Sequence, residues 1–220
     1  MRDMNFNALF SFLERLVQHN STDWMDDHRS EYHDIRDDFI AWLDQMNLRL
    51  AQLDPDYFDT PGKKAINRIN NNLMFHPNRP VYKDHFGAGL DQVSKQGDFY
   101  LHFGVEACFI GGGYWHPNSK LLRSIRQAID YNGNELQKIL DTPSFKKMFG
   151  SLVVDDPLKT APKGFSQDHE HINLLRRKSF AVTRPLNRTE IVADNFEEVV
   201  VEIYKEMLPF RRYLNQAVTV

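Results

Sequence analysis

An α+β fold, with an antiparallel or mixed sheet packed by helices, is the architecture this sequence predicts. Three observations carry that prediction. Apolar residues recur at helical spacing through residues 1–60, the period changes to β-type alternation from Ala65, and helical spacing returns after Pro117 and again after Asp194. The regular strand–helix alternation of a doubly wound fold is absent.

The elements follow in order. Phe6, Leu9, Phe10, Leu13, Leu16 and Val17 define a first helix, which Asn20-Ser21-Thr22-Asp23 stops while offering caps for the next. A long second helix carries Trp24, His28, Tyr32, Ile35, Phe39, Trp42, Met46, Leu50 and Leu53 inwards, completing a long N-terminal helical pair. Residues 65–72 alternate, and β-type segments follow around 81–91, 98–106 and 107–114, with Gln96-Gly97-Asp98 as a hairpin turn. Pro117 opens a helix that Asn132-Gly133-Asn134 is expected to close, and Thr142-Pro143 starts a short one ending at Gly150. Leu152–Val154 and Lys178–Thr183 read as strands. Between them, residues 155–171 lack periodicity and form the longest loop, the kind of segment that often carries function. Asp194-Asn195 caps a final helix that Pro209 is expected to bend or end.

With 220 residues, 41% of them hydrophobic, the chain is long enough for one sizeable core, so a single domain over 1–220 is expected. Its parts are a helical 1–60, a sheet-containing basic 61–190 and a C-terminal helix over 191–220. The net charge of −3 excludes a general attraction to nucleic acid or anionic membranes. Its distribution is uneven: residues 1–60 hold 5 Lys/Arg against 13 Asp/Glu, while residues 61–130 hold 9 against 5. A basic middle favours anionic ligands. Cys108 is the only cysteine, which rules out an intrachain disulfide or thiolate cluster and points to a reducing, cytoplasmic setting. No run approaches the roughly 18 apolar residues of a membrane span, and no signal peptide is read.

Arg68, Lys83, Arg123, Arg126, Lys159, Lys163 and Lys178 are the candidate ligand-binding cations, since guanidinium forks and ammonium groups suit phosphate or carboxylate. Gly111, Gly112 and Gly113 precede a helix start, where backbone N–H groups can approach an anion, although such a bend is more often plain chain geometry. Arg68, Lys83, Arg123, Lys159 and Lys163 are expected around one cleft with these glycines at its rim. His169 belongs to the same loop as Lys159 and Lys163. Metal ligation by His169-x-His171, or by His85, His102 and His116 from neighbouring strands, matches no strong signature, so neither metal nor cofactor is expected. Cys108 reads as a small buried hydrophobe, and Asp155-Asp156 as turn and cap residues.

The set Asn20-x3-Trp24, Arg68-Ile69, Phe75, Tyr82-Lys83, Gly111-Gly112-Gly113, Arg123-x2-Arg126, Leu158 through Phe165, Leu174-Leu175 and Lys178 resembles the domain of unknown function 2461 family over nearly the whole chain. The resemblance implies an α+β domain without an established activity. Relatives tend to carry a run of Arg, Asp and Arg after the Arg-Ile pair, where Asn70-Asn71-Asn72-Leu73-Met74 stands here.

Three function classes remain. The preferred one is binding, with or without processing, of a small anionic ligand. A nucleic-acid protein using Tyr82, Phe86, Tyr100 and Phe103 as stacking platforms is disfavoured by the acidic first 60 residues. The last is a protein-interaction module built on the acidic helix or the C-terminal helix. Oligomeric state is not legible in the sequence.

Overall fold

The computed structural model describes residues 4–92 and 97–218. Among them are nine helices and a four-stranded antiparallel sheet, an α+β arrangement. The helices are α1 (Phe6–Gln18), α2 (Thr22–Asp27), α3 (Arg29–Ala51), α4 (Gly62–Ala65), α5 (Ser119–Asp141), α6 (Pro143–Phe149), α7 (Ile172–Leu175), α8 (Arg188–Ile191) and α9 (Phe196–Val218). The strands β1 (His85–Leu90), β2 (Phe99–Gly104), β3 (Cys108–Tyr114) and β4 (Phe180–Pro185) lie in chain order across the sheet.

Two compact units form. Among the described residues, the first comprises those up to Gln92, Tyr100–Ile110 and Pro185–Val201; the second comprises Gly97–Phe99, Gly111–Arg184 and those from Glu202 on.

In the first unit, Asn5 starts α1 by accepting the Ala8 N–H (3.0 Å), and Ser21 starts α2 by accepting the Trp24 N–H (3.2 Å). The long helix expected from Trp24 is divided at His28, whose φ of −110° and ψ of 13° leave the helical region. Phe6, Trp42, Phe103 and Phe196 interlock through edge, tilted and stacked ring contacts 5.2–6.1 Å apart. Residues 65–72 are not a strand. They make only two isolated bridges, Ile66 to Ala88 and Asn70 to Tyr82. Asn20 locks the second bridge by donating to the Tyr82 carbonyl (3.0 Å) and accepting its N–H (2.9 Å).

In the second unit, Asn118 caps α5 by accepting the N–H groups of Lys120 and Leu121, both at 3.0 Å. The stop expected at Asn132-Gly133-Asn134 is a kink instead. Asn132 turns non-helical, with φ −145° and ψ 44°, and the helix resumes to Asp141 because Leu136 beyond it is still buried. Tyr213 donates to the Asn132 carbonyl (3.2 Å), satisfying a group the kink exposes. Pro209 likewise does not end α9, since Phe210 and Leu214 beyond it are core residues whose burial outweighs one lost hydrogen bond. Among the described residues, the backbone pairing of Leu152–Val154 is the Val153 N–H to the Ala181 carbonyl (2.9 Å), and the segment is not a strand. The hairpin turn expected at Gln96-Gly97-Asp98 begins at Gln96, outside the described residues.

Candidate functional site

The 155–171 loop is tied down at both ends. At its start the Asp155 side chain, 1% exposed, accepts the N–H groups of Lys178 (2.8 Å) and Ser179 (2.7 Å), with Arg177 3.4 Å from its other oxygen. Asp155 is thus a long-range tie to the segment before β4, not the local turn or cap residue its sequence context suggests. At the other end His169 uses both ring nitrogens. Nδ1 accepts the His171 N–H (3.0 Å), so Nε2 carries the proton and donates it to Asp130 of α5 (3.0 Å). Between these anchors Phe165 N–H closes a turn on the Pro162 carbonyl (3.1 Å), and Gly164 takes φ +95°, a conformation open to glycine.

This pinned loop faces α5 across a cleft of about 570 Å³. Arg123, Gln127 and Asp130 come from one helix face, at spacings of four and three, with Arg126 beside them, and Pro162–Phe165 form the opposite wall. Arg126 is held rigidly: its Nε donates to the Leu175 carbonyl (2.8 Å) and its Nη2 to that of Arg177 (3.0 Å). Burial pushes its pKa below the ordinary arginine value. Arg123 and Lys163 are exposed and have no ion-pair partner among the described residues. Asp130 is the one acid of the lining, and His169 engages it. Three cations against one occupied carboxylate suit an oxyanion.

The structure thus brings together Arg123, Arg126, Lys163 and, through Asp130, His169. Lys159 is exposed in the same loop but does not line the cleft, and Lys178 is turned to Asp156 at 3.2 Å. Gly111, Gly112 and Gly113 lie inside β3, not in a bend ahead of a helix. A Cβ on Gly112 would overlap Met207 Sδ, and one on Gly113 would overlap the Phe180 carbonyl oxygen, so protein atoms take up the close approach these glycines allow. Arg68 and Lys83 belong to the first unit, where Arg68 lines a separate cleft and Lys83 donates to the Arg68 carbonyl (2.6 Å).

The other sequence candidates resolve individually. His85 and His102 converge, with ring centroids 4.0 Å apart, but His116 instead contacts Trp115. No group of three or more metal-ligating side chains suited to an ion occurs among the described residues. Cys108 is half-buried rather than buried. Its thiol donates to the Gly104 carbonyl (3.3 Å), and burial raises its pKa, which opposes nucleophilic use. Of the proposed stacking platforms, Tyr82, Phe86 and Phe103 are core residues that present no ring face to a base. The Asp130–His169 contact escaped sequence reasoning because the two are 39 residues apart and neither occupies a recognisable motif.

Among the described residues no helix is long and apolar enough to cross a membrane. No curated protein and no solved structure matches the chain. One family model does, over residues 8–213, and with nearly the whole chain covered the protein belongs to the family described as conserved hypothetical protein (DUF2461).

Proposed function

We propose that the cleft between α5 and residues 162–165 binds a small ligand bearing a phosphate or carboxylate. The observation that carries this reading is the pair of unpartnered cations, Arg123 and Lys163, on opposite walls beside the immobilised Arg126. A loop pinned by Asp155 and His169 holds Lys163 in place before any ligand arrives, which lowers the ordering cost of binding. His169 has both nitrogens committed, so it offers no free base to the cleft, and the geometry favours binding over turnover. A half-buried, unpaired cysteine fits a reducing cytoplasmic setting.

Thermal melts test this with inorganic phosphate and nucleotides against chloride of equal ionic strength. A ligand at about 100 times its Kd adds about 2.7 kcal/mol, or roughly 5–10 °C for a chain of this size. Lys163→Ala and Arg123→Ala should each reduce that gain and leave the unliganded melting temperature within about 1 °C, because exposed side chains contribute little to stability. An unchanged response in both variants would refute the reading.

A further inference from the structure

In the first unit, a cleft of about 390 Å³ opens between α3 and the 66–70 segment. Arg29, His33 and Arg36 come from α3, Arg68 faces them, and Tyr32 and Tyr82 complete the part that matters here. Every polar side chain of the lining can donate a hydrogen bond, including the amides of Asn67 and Asn70, and not one lining residue is a carboxylate. This occurs although residues 1–60 hold 13 acids against 5 Lys/Arg.

The bland account is that the arginines serve surface ion pairs. It covers two of them: Arg29 is paired with Asp26, and Arg36 with Asp37 at 2.7 Å. Both acids are exposed, at 64% and 62%, and stand outside the lining. Exposed pairs of this kind are weak and release their guanidinium groups readily. Arg68 has no acidic partner among the described residues, and the Lys83 ammonium, bonded to the Arg68 carbonyl at 2.6 Å, has none either. Burial lowers the Lys83 pKa, and the neighbouring Arg68 charge lowers it further. Arg29 is held above its ordinary pKa by Asp26, with the Tyr82 hydroxyl acting in the same direction. Two like charges beside each other without a counter-charge are unfavourable until an anion arrives.

We infer that this cleft is a second oxyanion site, separate from the α5 cleft, that takes a small ligand with two or more adjacent anionic oxygens, a phosphorylated metabolite in chemical class. Guanidinium groups from two sides grip such a group bidentately, while the phenol and amide donors take its remaining oxygens.

Calorimetric titration of the full chain with inorganic pyrophosphate in 0.15 M chloride tests the inference in four proteins: wild type, R123A/K163A, R68Q/R36Q, and all four substitutions together. The salt suppresses non-specific attraction. The expected result is that R123A/K163A still binds one pyrophosphate, and that adding R68Q/R36Q weakens this binding at least about tenfold, the scale of losing a charged hydrogen bond. Arg68 and Arg36 are at the surface, but a second readout guards against misfolding: the His33 Cε1–H resonance of R123A/K163A should shift with pyrophosphate. Loss of all binding in R123A/K163A, or binding there that R68Q/R36Q leaves unchanged, overturns the second site. The α5 reading fails by a different result, a wild-type isotherm with one site that R68Q/R36Q alone removes.

Discussion

Replacing Asp155 by alanine should both destabilise the second unit and loosen the ligand loop. One carboxylate oxygen of a side chain only 1% exposed accepts two backbone N–H groups, from Lys178 and Ser179, at 2.8 and 2.7 Å. Ser179 is fully buried, so its N–H would be left without a partner, whereas the half-buried Lys178 N–H regains water. Hydrogen bonds to a charged group contribute about 1.5–3 kcal/mol each, and one stranded donor costs about 1–3 kcal/mol. Allowing for the recovered water contact, the loss should be about 2–4 kcal/mol, or roughly 5–15 °C in melting temperature. Urea unfolding followed by circular dichroism measures it, with an unchanged slope expected because the surface exposed on unfolding is nearly the same. Asp156→Ala is the internal control. That neighbour is 95% exposed and touches only the Lys178 ammonium at 3.2 Å, so its loss should stay within about 0.5 kcal/mol. The phosphate-induced stabilisation should shrink in Asp155→Ala and persist in Asp156→Ala. Equal stability of the two variants would refute the anchoring argument.

Two further outcomes follow from single side chains. Gly113→Ala places a Cβ onto the Phe180 carbonyl oxygen at φ +100°, so a loss of about 3 kcal/mol or more is expected; soluble protein with an unshifted melt would contradict it. His102 is pushed down to about 4 by burial, with the His85 charge adding to the effect. Its folded pKa lies below the unfolded value of 6.5, so the neutral form is favoured in the fold. Its contribution is complete above about pH 6.5 and is lost as pH falls towards 4. Discounted for partial exposure, this amounts to roughly 1–2 kcal/mol. His102→Asn should flatten the stability profile in that window, and an NMR titration placing His102 above 6 would disprove the assignment.

Much of the fold was legible before the structure. The α+β class, the three clustered strands and the helices opening near Phe6, Ser119, Pro143 and Phe196 follow from periodicity and capping residues, which act over a few positions. Pro209 is a local stop signal, yet α9 runs through it because Phe210 and Leu214 gain more from burial than the local signal costs; at Asn132 the stop signal does interrupt α5, which resumes beyond the kink with Leu136 buried. Residues 65–72 alternate like a strand but meet their neighbours at only two bridges.

The candidate site divides in the same way. Charge type and loop length, both properties of the chain, point to Lys163, Arg123 and the 155–171 segment, whereas the tie from Asp155 to Lys178 and Ser179 spans more than twenty residues and has no local signal. Which cations share a cleft is a matter of position in space. Folding placed Arg123, Arg126 and Lys163 together, assigned Arg68 to a cleft with Arg29 and Arg36, and spent the Gly112 and Gly113 openings on Met207 and the Phe180 carbonyl. Composition and short-range patterning set the chemistry available and most of the elements, while packing decides where elements such as α9 end and whether a strand-like stretch such as 65–72 pairs. Long-range packing alone decides which charges lose their counter-ions, because burial and proximity belong to the folded chain.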